Sequence, residues 1–347
     1  MYKKKLFLLG VIVLAAVCVT SVLYAGGKWN ILQTQDTEDI RDYNAIAFVS
    51  PKEGWVAGIS ALEMDNPGYI GHTRNGGTTW EKAEVDVKRN LSSIYFFDQK
   101  NGWVVGEEGM IVGTKDGGKR WEIQTSKVSN SLYGVHFVNT KTGYAVGRSE
   151  TIVKTENGGK IWKILRGGEI PAGIGDDPEK VFNAIQFIDE STGWVAGVFI
   201  DPVASVQEAL IQKTTDGAKT WVGQPTNVES ILKDIFFVDA ANGWAVGEEG
   251  IILHTTNGGD SWEIQTSGTE EHLLSVGFVD KNVGWAVGGD RGVNVIIHTS
   301  DGGETWENQS VTDDPIISKL PVNDVFILDA GHVWGTGNNG MVVQYSK

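Results

Sequence analysis

The chain has 347 residues, a formal charge of −15 and a single cysteine, and it carries 45 glycines and 13 tryptophans against only 8 prolines. A domain this acidic repels nucleic-acid phosphates, and no basic stripe interleaved with aromatics offsets that, so nucleic acid is excluded as a partner. With Cys18 as the lone thiol, neither a disulfide framework nor thiolate chemistry is available.

Lys3-Lys4-Lys5 opens the chain, Leu6–Ala25 carries no charge, and Leu23-Tyr24-Ala25 ends on a small residue. Residues 1–25 therefore read as a signal peptide, and the apolar run of about 20 residues is also long enough for an uncleaved N-terminal anchor. Both readings export residues 26–347 as one domain, to a periplasm, a thylakoid lumen or the extracellular space. Val17 is a poor neighbour for lipidation of Cys18.

From residue 28 onward two motifs alternate. The first is GWVAG at Gly54–Gly58, GWVVG at Gly102–Gly106, GYAVG at Gly143–Gly147, GWVAG at Gly193–Gly197, GWAVG at Gly243–Gly247 and Gly284–Gly288, and VWGTG at Val333–Gly337. The second is a turn ending in tryptophan: Thr73–Trp80, Thr114–Trp121, Thr155–Trp162, Thr214–Trp221, Thr255–Trp262 and Thr299–Trp306. A period of about 46 residues with short β-rich runs between glycines predicts a β-propeller, and no long helical period survives between those glycines. Seven copies of the first motif predict seven blades of four antiparallel strands. In the second blade these are a (Ser92–Phe97), b (Trp103–Gly106), c (Met110–Thr114) and d (Arg120–Thr125).

The last blade lacks a tryptophan strand of its own. Lys28-Trp29-Asn30-Ile31-Leu32-Gln33 matches Arg120-Trp121-Glu122-Ile123-Gln124 and Ser261-Trp262-Glu263-Ile264-Gln265. The N-terminal strand around Trp29 is therefore expected to complete the last blade and remove the two raw edges of an open ring.

The turn motif is the Asp-box, or BNR repeat, and its residues explain themselves structurally. Asn75, Asp116, Asn157, Asp216, Asn257 and Asp301 can hold their own turn amides, and the glycines that follow them permit positive φ. Six copies serve a scaffold rather than an active site. His72, His254 and His298 recur at one strand-c position, one per blade, too far apart to share an ion. Neither a metal nor a cofactor is expected.

Function is expected on the face bearing the b–c and inter-blade turns. Every long insertion falls there: Ile59–Tyr69, Arg166–Val181, Val198–Leu210 and Gln309–Pro321. Its candidate partner-binding residues are Glu107, Glu108, Arg148, Glu150, Arg166, Glu248, Glu249, Asp290 and Arg291.

The pairing of GW-x-VG strands with Asp-boxes in one ring resembles the photosystem II assembly/stability factor family, over Lys28–Lys347. The resemblance implies a non-catalytic, exported seven-bladed propeller, monomeric, that binds a membrane-protein or envelope client, a photosystem II precursor in a photosynthetic organism. It also implies a client-binding arginine cluster, for which Arg148, Arg166 and Arg291 are the nearest positions. Asp-boxes occur in sialidases and other glycoside hydrolases too, so the alternative is a glycan-binding protein or hydrolase. That reading needs opposed carboxylates, with Asp177 and Glu208 in the insertions as candidates.

Overall fold

The computed structural model describes residues 27–33, 41–60, 68–168, 179–290 and 292–346. The signal or anchor segment, Arg291 and Asp177 lie outside the described residues. The rest is a seven-bladed propeller: seven four-stranded antiparallel sheets, six of them consecutive in the chain. Blade 2 comprises strand a (Leu91–Phe96), b (Gly102–Gly106), c (Met110–Thr114) and d (Glu122–Thr125), within a residue or two of expectation. The seventh sheet takes Val322–Asp329, His332–Gly337 and Val342–Ser346 from one end of the chain and Lys28–Gln33 from the other.

Trp29 pairs with Tyr345 in that sheet and buries its ring. Its Nε1 donates to Gln309 Oε1 (3.2 Å), as Trp162 donates to Gln124 (3.0 Å) and Trp306 to Gln265 (3.3 Å). Trp29 thus occupies the place of an Asp-box tryptophan, and the ring closes as the repeat arithmetic requires.

Blades are joined by a three-ring contact. The strand-b tryptophan of one blade lies flat on a phenylalanine that ends strand a of the next: Trp55 on Phe96 (3.7 Å), Trp194 on Phe237 (3.7 Å), Trp244 on Phe278 (3.6 Å), Trp334 on Phe48 (3.8 Å). That phenylalanine meets the Asp-box tryptophan of its own blade edge-on, as Phe96 meets Trp121 (5.9 Å, 87°). Stacked and edge-on aromatic pairs add to the area they bury. The glycine before each strand-b tryptophan makes room for this phenylalanine: a Cβ on Gly54, Gly102 or Gly284 would sit 2.5 Å from a ring carbon of Phe48, Phe96 or Phe278. Val333 replaces that glycine in blade 7, and its strand partner there is Ile327 rather than phenylalanine.

The Asp-boxes lock the same seams. Thr79 N–H donates to Asn75 Oδ1 (3.0 Å), Arg120 N–H to Asp116 Oδ1 (2.9 Å) and Thr305 N–H to Asp301 Oδ1 (2.9 Å), with φ of +73° at Gly76 and +75° at Gly117. At four seams the carbonyl of the first box glycine then accepts from the preceding blade: Tyr144 hydroxyl to Gly217 (3.3 Å), Trp194 Nε1 to Gly258 (3.1 Å), Trp244 Nε1 to Gly302 (3.1 Å) and Trp334 Nε1 to Gly76 (3.0 Å). His72 and His254 stack on Trp55 and Trp244 at 4.7 and 4.6 Å, which is a packing role.

Trp29→Ala should lower stability by about 3 kcal/mol or more, because a buried tryptophan leaves a cavity at the closure; urea unfolding of the variant checks it. Gly243→Val should cost about 2 kcal/mol by overpacking Phe237. Adding Phe237→Ile, the pairing blade 7 uses, should recover part of that loss in the same assay.

Candidate functional site: the insertion-rich face and the channel

The b–c turns and inter-blade connections share one face, as their order in the sheets requires. Two blades are raised there. In blade 4 the insertion is mostly strand rather than loop: Gly193–Asp201 pairs with Val206–Thr214 out to Asp201↔Val206, and Glu179–Phe187 pairs alongside from Glu179↔Ile200. The result is a three-stranded wall ending in a turn at residues 202–205, with Val203 exposed. Blade 1, three steps round the ring, is extended by the pairs Arg41↔Ser60 and Ile59↔Gly68.

The candidate residues fall into separate groups on this face. Arg148, Glu150 and Arg166 do come together, on the blade 3 turn against the base of the wall. Arg148 Nε donates to Glu179 Oε1 (2.9 Å) and its Nη2 to Oε2 (3.3 Å), and this pair raises the arginine pKa above its usual value, the hydrogen bond first and the charge second. Glu150 receives Lys180 Nζ (2.9 Å) and Arg166, while its own N–H donates to Lys180 O (2.8 Å). Arg166 also donates to Gln212 Oε1 (3.0 Å). These side chains buttress the wall, and the arginines are paired rather than presented as free positive charge.

The remaining candidates sit elsewhere on the rim. Glu107 and Glu108 form a tight turn in blade 2, with Glu108 at φ +53° and paired with Arg89 Nε (2.6 Å). Glu248 holds Lys233 Nζ (2.8 Å). Glu249 and Asp290 meet through His272, which accepts from the Glu249 N–H at Nδ1 (3.2 Å) and faces Asp290 at Nε2 (3.6 Å). Glu208 is exposed on the wall, where it pairs with Phe199 in the strand register.

The channel carries polar residues that repeat-level reading passes over. Strand a of every blade lines a central cavity of about 380 Å³. Asp324 of blade 7 accepts from Ile46 N–H of blade 1 (2.9 Å) and from Ser275 Oγ of blade 6 (2.7 Å). Asp234 of blade 5 accepts from Val276 N–H (3.0 Å) and Ile235 N–H (2.8 Å), with Ser275 Oγ at 3.2 Å. Burial pushes Asp234 up to about 6 and Asp324 up to about 7, the latter helped by the Asp234 charge. Burial pulls His136 down to about 4, so its ring is neutral and its Nδ1 accepts from Phe187 N–H (3.4 Å). His136 thus lines the channel, a place its sequence position does not reveal. The signal for the channel was present in the strand-a register, where Ala45, Ser93, Gly134, Ala184, Asp234, Ser275 and Asp324 are equivalent. Among the described residues no group of three or more His, Cys, Asp or Glu is placed to hold a metal ion, and no helix is long and apolar enough to cross a membrane.

Comparison with known proteins gives three kinds of match. The profile of the family described as photosynthesis system II assembly factor YCF48 matches residues 24–127, 120–225 and 213–342. A curated relative, the chloroplastic photosystem II stability/assembly factor HCF136 of Arabidopsis thaliana, is 33% identical over 69 residues, which is 19% of this chain and 15% of that protein. Among solved structures, YCF48 bound to D1 peptide superposes with a TM-score of 0.67 at 19% identity, covering 92% of this chain and 97% of that one. YCF48 from Cyanidioschyzon merolae gives 0.66 at 20% identity, covering 92% and 99%. The GH74 enzyme of Niastella koreensis gives 0.65 at 13% identity, covering 92% of this chain and 52% of the enzyme. At these identities the structural likeness is one of fold.

Both channel carboxyls are raised above their unfolded value, so the stability they contribute is complete below about pH 4 and is lost as pH rises through 6 to 7. Asp216, held down to about 2 chiefly by the Thr220 hydroxyl, acts in the opposite window and loses its contribution only in strong acid. The melting temperature should therefore fall from pH 5 to pH 8 by about 3 °C or more. In Asp324→Asn that fall should shrink to less than half.

Proposed function

This chain belongs to the family of the photosystem II assembly factor YCF48, and from that premise we propose that it is an exported, non-catalytic scaffold that binds a membrane-protein client on its insertion-rich face. The observation that carries the reading is the raised wall of blade 4, anchored at its base by the Arg148–Glu179 and Lys180–Glu150 pairs. A three-stranded extension held by ion pairs on a neighbouring blade keeps its shape without a partner, and preorganisation of this kind reduces the ordering cost of binding. Blades 1 and 4 stand nearly opposite in the ring, so their extensions flank the channel mouth, an arrangement suited to an extended segment.

The YCF48 structure solved with a D1 peptide supports a peptide-like client of photosystem II type. Monomeric action fits a ring whose outer edge strands are short, two to six residues each. The hydrolase alternative gains little from the residues raised for it. Glu208 is exposed on the wall, and the paired carboxyls of the channel are taken up by backbone amides of neighbouring blades. The arginines are wall supports, so charge reversal at Arg148 or Arg166 disturbs the wall as well as the surface.

A cleaner test shortens the blade 4 hairpin, replacing Phe199–Glu208 with a two-residue Gly-containing turn. Capture of membrane-protein clients from mildly solubilised membranes, read by mass spectrometry, should drop about tenfold or more, equivalent to about 1.4 kcal/mol. The melting temperature should change little. Undiminished capture would move the client site off this face.

A further inference from the structure

The opposite face, built from the a–b turns and the Asp-boxes, is electrically divided. Over blades 2 and 3 it presents Lys100, Lys115, Lys119, Arg120, Lys141 and Lys160, all exposed and, among the described residues, none in a salt bridge. Lys52 adds to this on blade 1. The turns of that half carry only four carboxylates. Asp98 and Asp116 hold turn amides, Glu156 is paired with Lys154 (3.3 Å) and Lys163 (3.1 Å), and Glu53 is on His72 (3.3 Å). Over blades 4 to 6 the same turns expose Asp189, Glu190, Asp239, Asp260, Asp280 and Glu304, against Lys219 and Lys281. On this face of a protein of net charge −15 the exposed cations are thus concentrated over blades 1 to 3.

Two further features lie in that sector. Phe97 and Ile161, at the blade 2 a–b turn and the blade 3 box, are 42% and 53% exposed where they interrupt the lysines. Lys115 Nζ lies 3.9 Å from where a Cβ on Gly158 would sit, so the charge runs unbroken from one blade to the next. The chain also enters strand d of blade 7 on this side. Lys28 pairs with Ser346 at the end of the sheet where the other blades carry their boxes, so the polypeptide leading into Lys28 emerges from the Asp-box face. That polypeptide includes the uncharged stretch Leu6–Ala25.

We propose that the basic sector of the Asp-box face docks on an anionic membrane surface, with the acidic sector tilted away and the client face turned outward. Lysines at a lipid surface gain from its negative potential, and exposed apolar side chains among them enter the headgroup layer. An acidic protein segment could also meet lysines, but the emergence of the apolar stretch on the same face favours lipid. The proposal is independent of where the client binds, because it concerns the opposite face.

The test is sedimentation of the full chain with vesicles of phosphatidylcholine alone or with about 30% phosphatidylglycerol, at low and high salt. At low salt, partition into the anionic vesicles should exceed that into neutral ones by about tenfold or more, and high salt should abolish the difference. Lys115→Glu/Lys119→Glu/Arg120→Glu should remove the preference while leaving binding to neutral vesicles unchanged; Lys100→Gln/Lys141→Gln/Lys160→Gln is the second variant should the first unfold. The blade 4 hairpin deletion should leave vesicle partition as it was, which separates this result from the client assay. Equal partition into both vesicle types overturns the proposal. So does an unaltered preference in a folded variant, or a sector that captures polyglutamate but not vesicles.

Discussion

The structure depends on a missing methyl group. In six of the seven blades strand b begins at a glycine whose absent Cβ lets a phenylalanine of strand a lie across it, as Phe96 lies against Gly102. That phenylalanine is then sandwiched, flat on the previous blade's tryptophan and edge-on to its own blade's box tryptophan. The stack fixes how far apart neighbouring sheets stand and how they are inclined. Repeated round the ring, it sets the size of the channel and the number of blades that can close. Any side chain at the glycine pushes the phenylalanine out of the stack, so the two positions can change only together. Blade 7 shows the joint change, with Val333 beside Ile327 and Tyr345 reaching the Trp285 ring instead (5.2 Å).

The same locking explains why insertions are confined to one face. On the Asp-box side each a–b turn is held by a side-chain oxygen at its start, a serine hydroxyl in blade 1 and an acid or amide in the others, as Asp98 Oδ1 accepts from Lys100 N–H (2.7 Å) and Asn101 N–H (2.8 Å). The box is bonded to that turn in its own blade, as Gly117 N–H donates to Lys100 O (3.0 Å), and in four blades also to the strand-b aromatic of the previous blade, as Gly258 O accepts from Trp194. Inserted residues would break a three-way bond network. On the other face strand b ends in a glycine pressed against a strand-a carbonyl, as Gly106 is against Asn90, and beyond it the chain is free to grow. Growth of strands rather than loops, as in blade 4, keeps the added backbone amides paired and gives the extension stiffness.

Legibility followed repetition. The blade count, the strand order, the latch at Trp29 and the box hydrogen bonds were readable because each is written several times, and the one copy that lacks a part points to where the part is. The partners of single side chains were not readable. Arg148, Glu150 and Arg166 looked like surface charge in the sequence, and they became wall supports only when Glu179 and Lys180 were brought beside them. The phenylalanine of the ring stack is not legible in the sequence because its role depends on a glycine six residues later, on the opposite strand. The charged sector of the Asp-box face was hidden because its members come from turns separated by tens of residues, and the total charge has the opposite sign.

The channel residues take their meaning from an irregularity in the ring. The termini meet within blade 7, yet the contact from blade 7 to blade 1 is complete: Trp334 stacks on Phe48 and donates to Gly76 O. The defective seam is between blades 6 and 7, where no box follows Trp285 and its Nε1 turns to Gln309 (3.2 Å), an acceptor already used by Trp29. At the inner end of that seam Ser275 of blade 6 donates to Asp324 of blade 7, and Asp324 in turn binds the Ile46 amide of blade 1. Ser275 has one proton and two carboxyl oxygens within reach, and its oxygen also accepts the Val325 N–H (3.3 Å). With both carboxyls ionised, one of them faces a lone pair. A proton on either acid removes that clash and lets the trio bond continuously from blade 5 to blade 1. The polar clasp thus stands at the inner end of the seam that has no Asp-box, and it is strongest when one of its two acids is protonated.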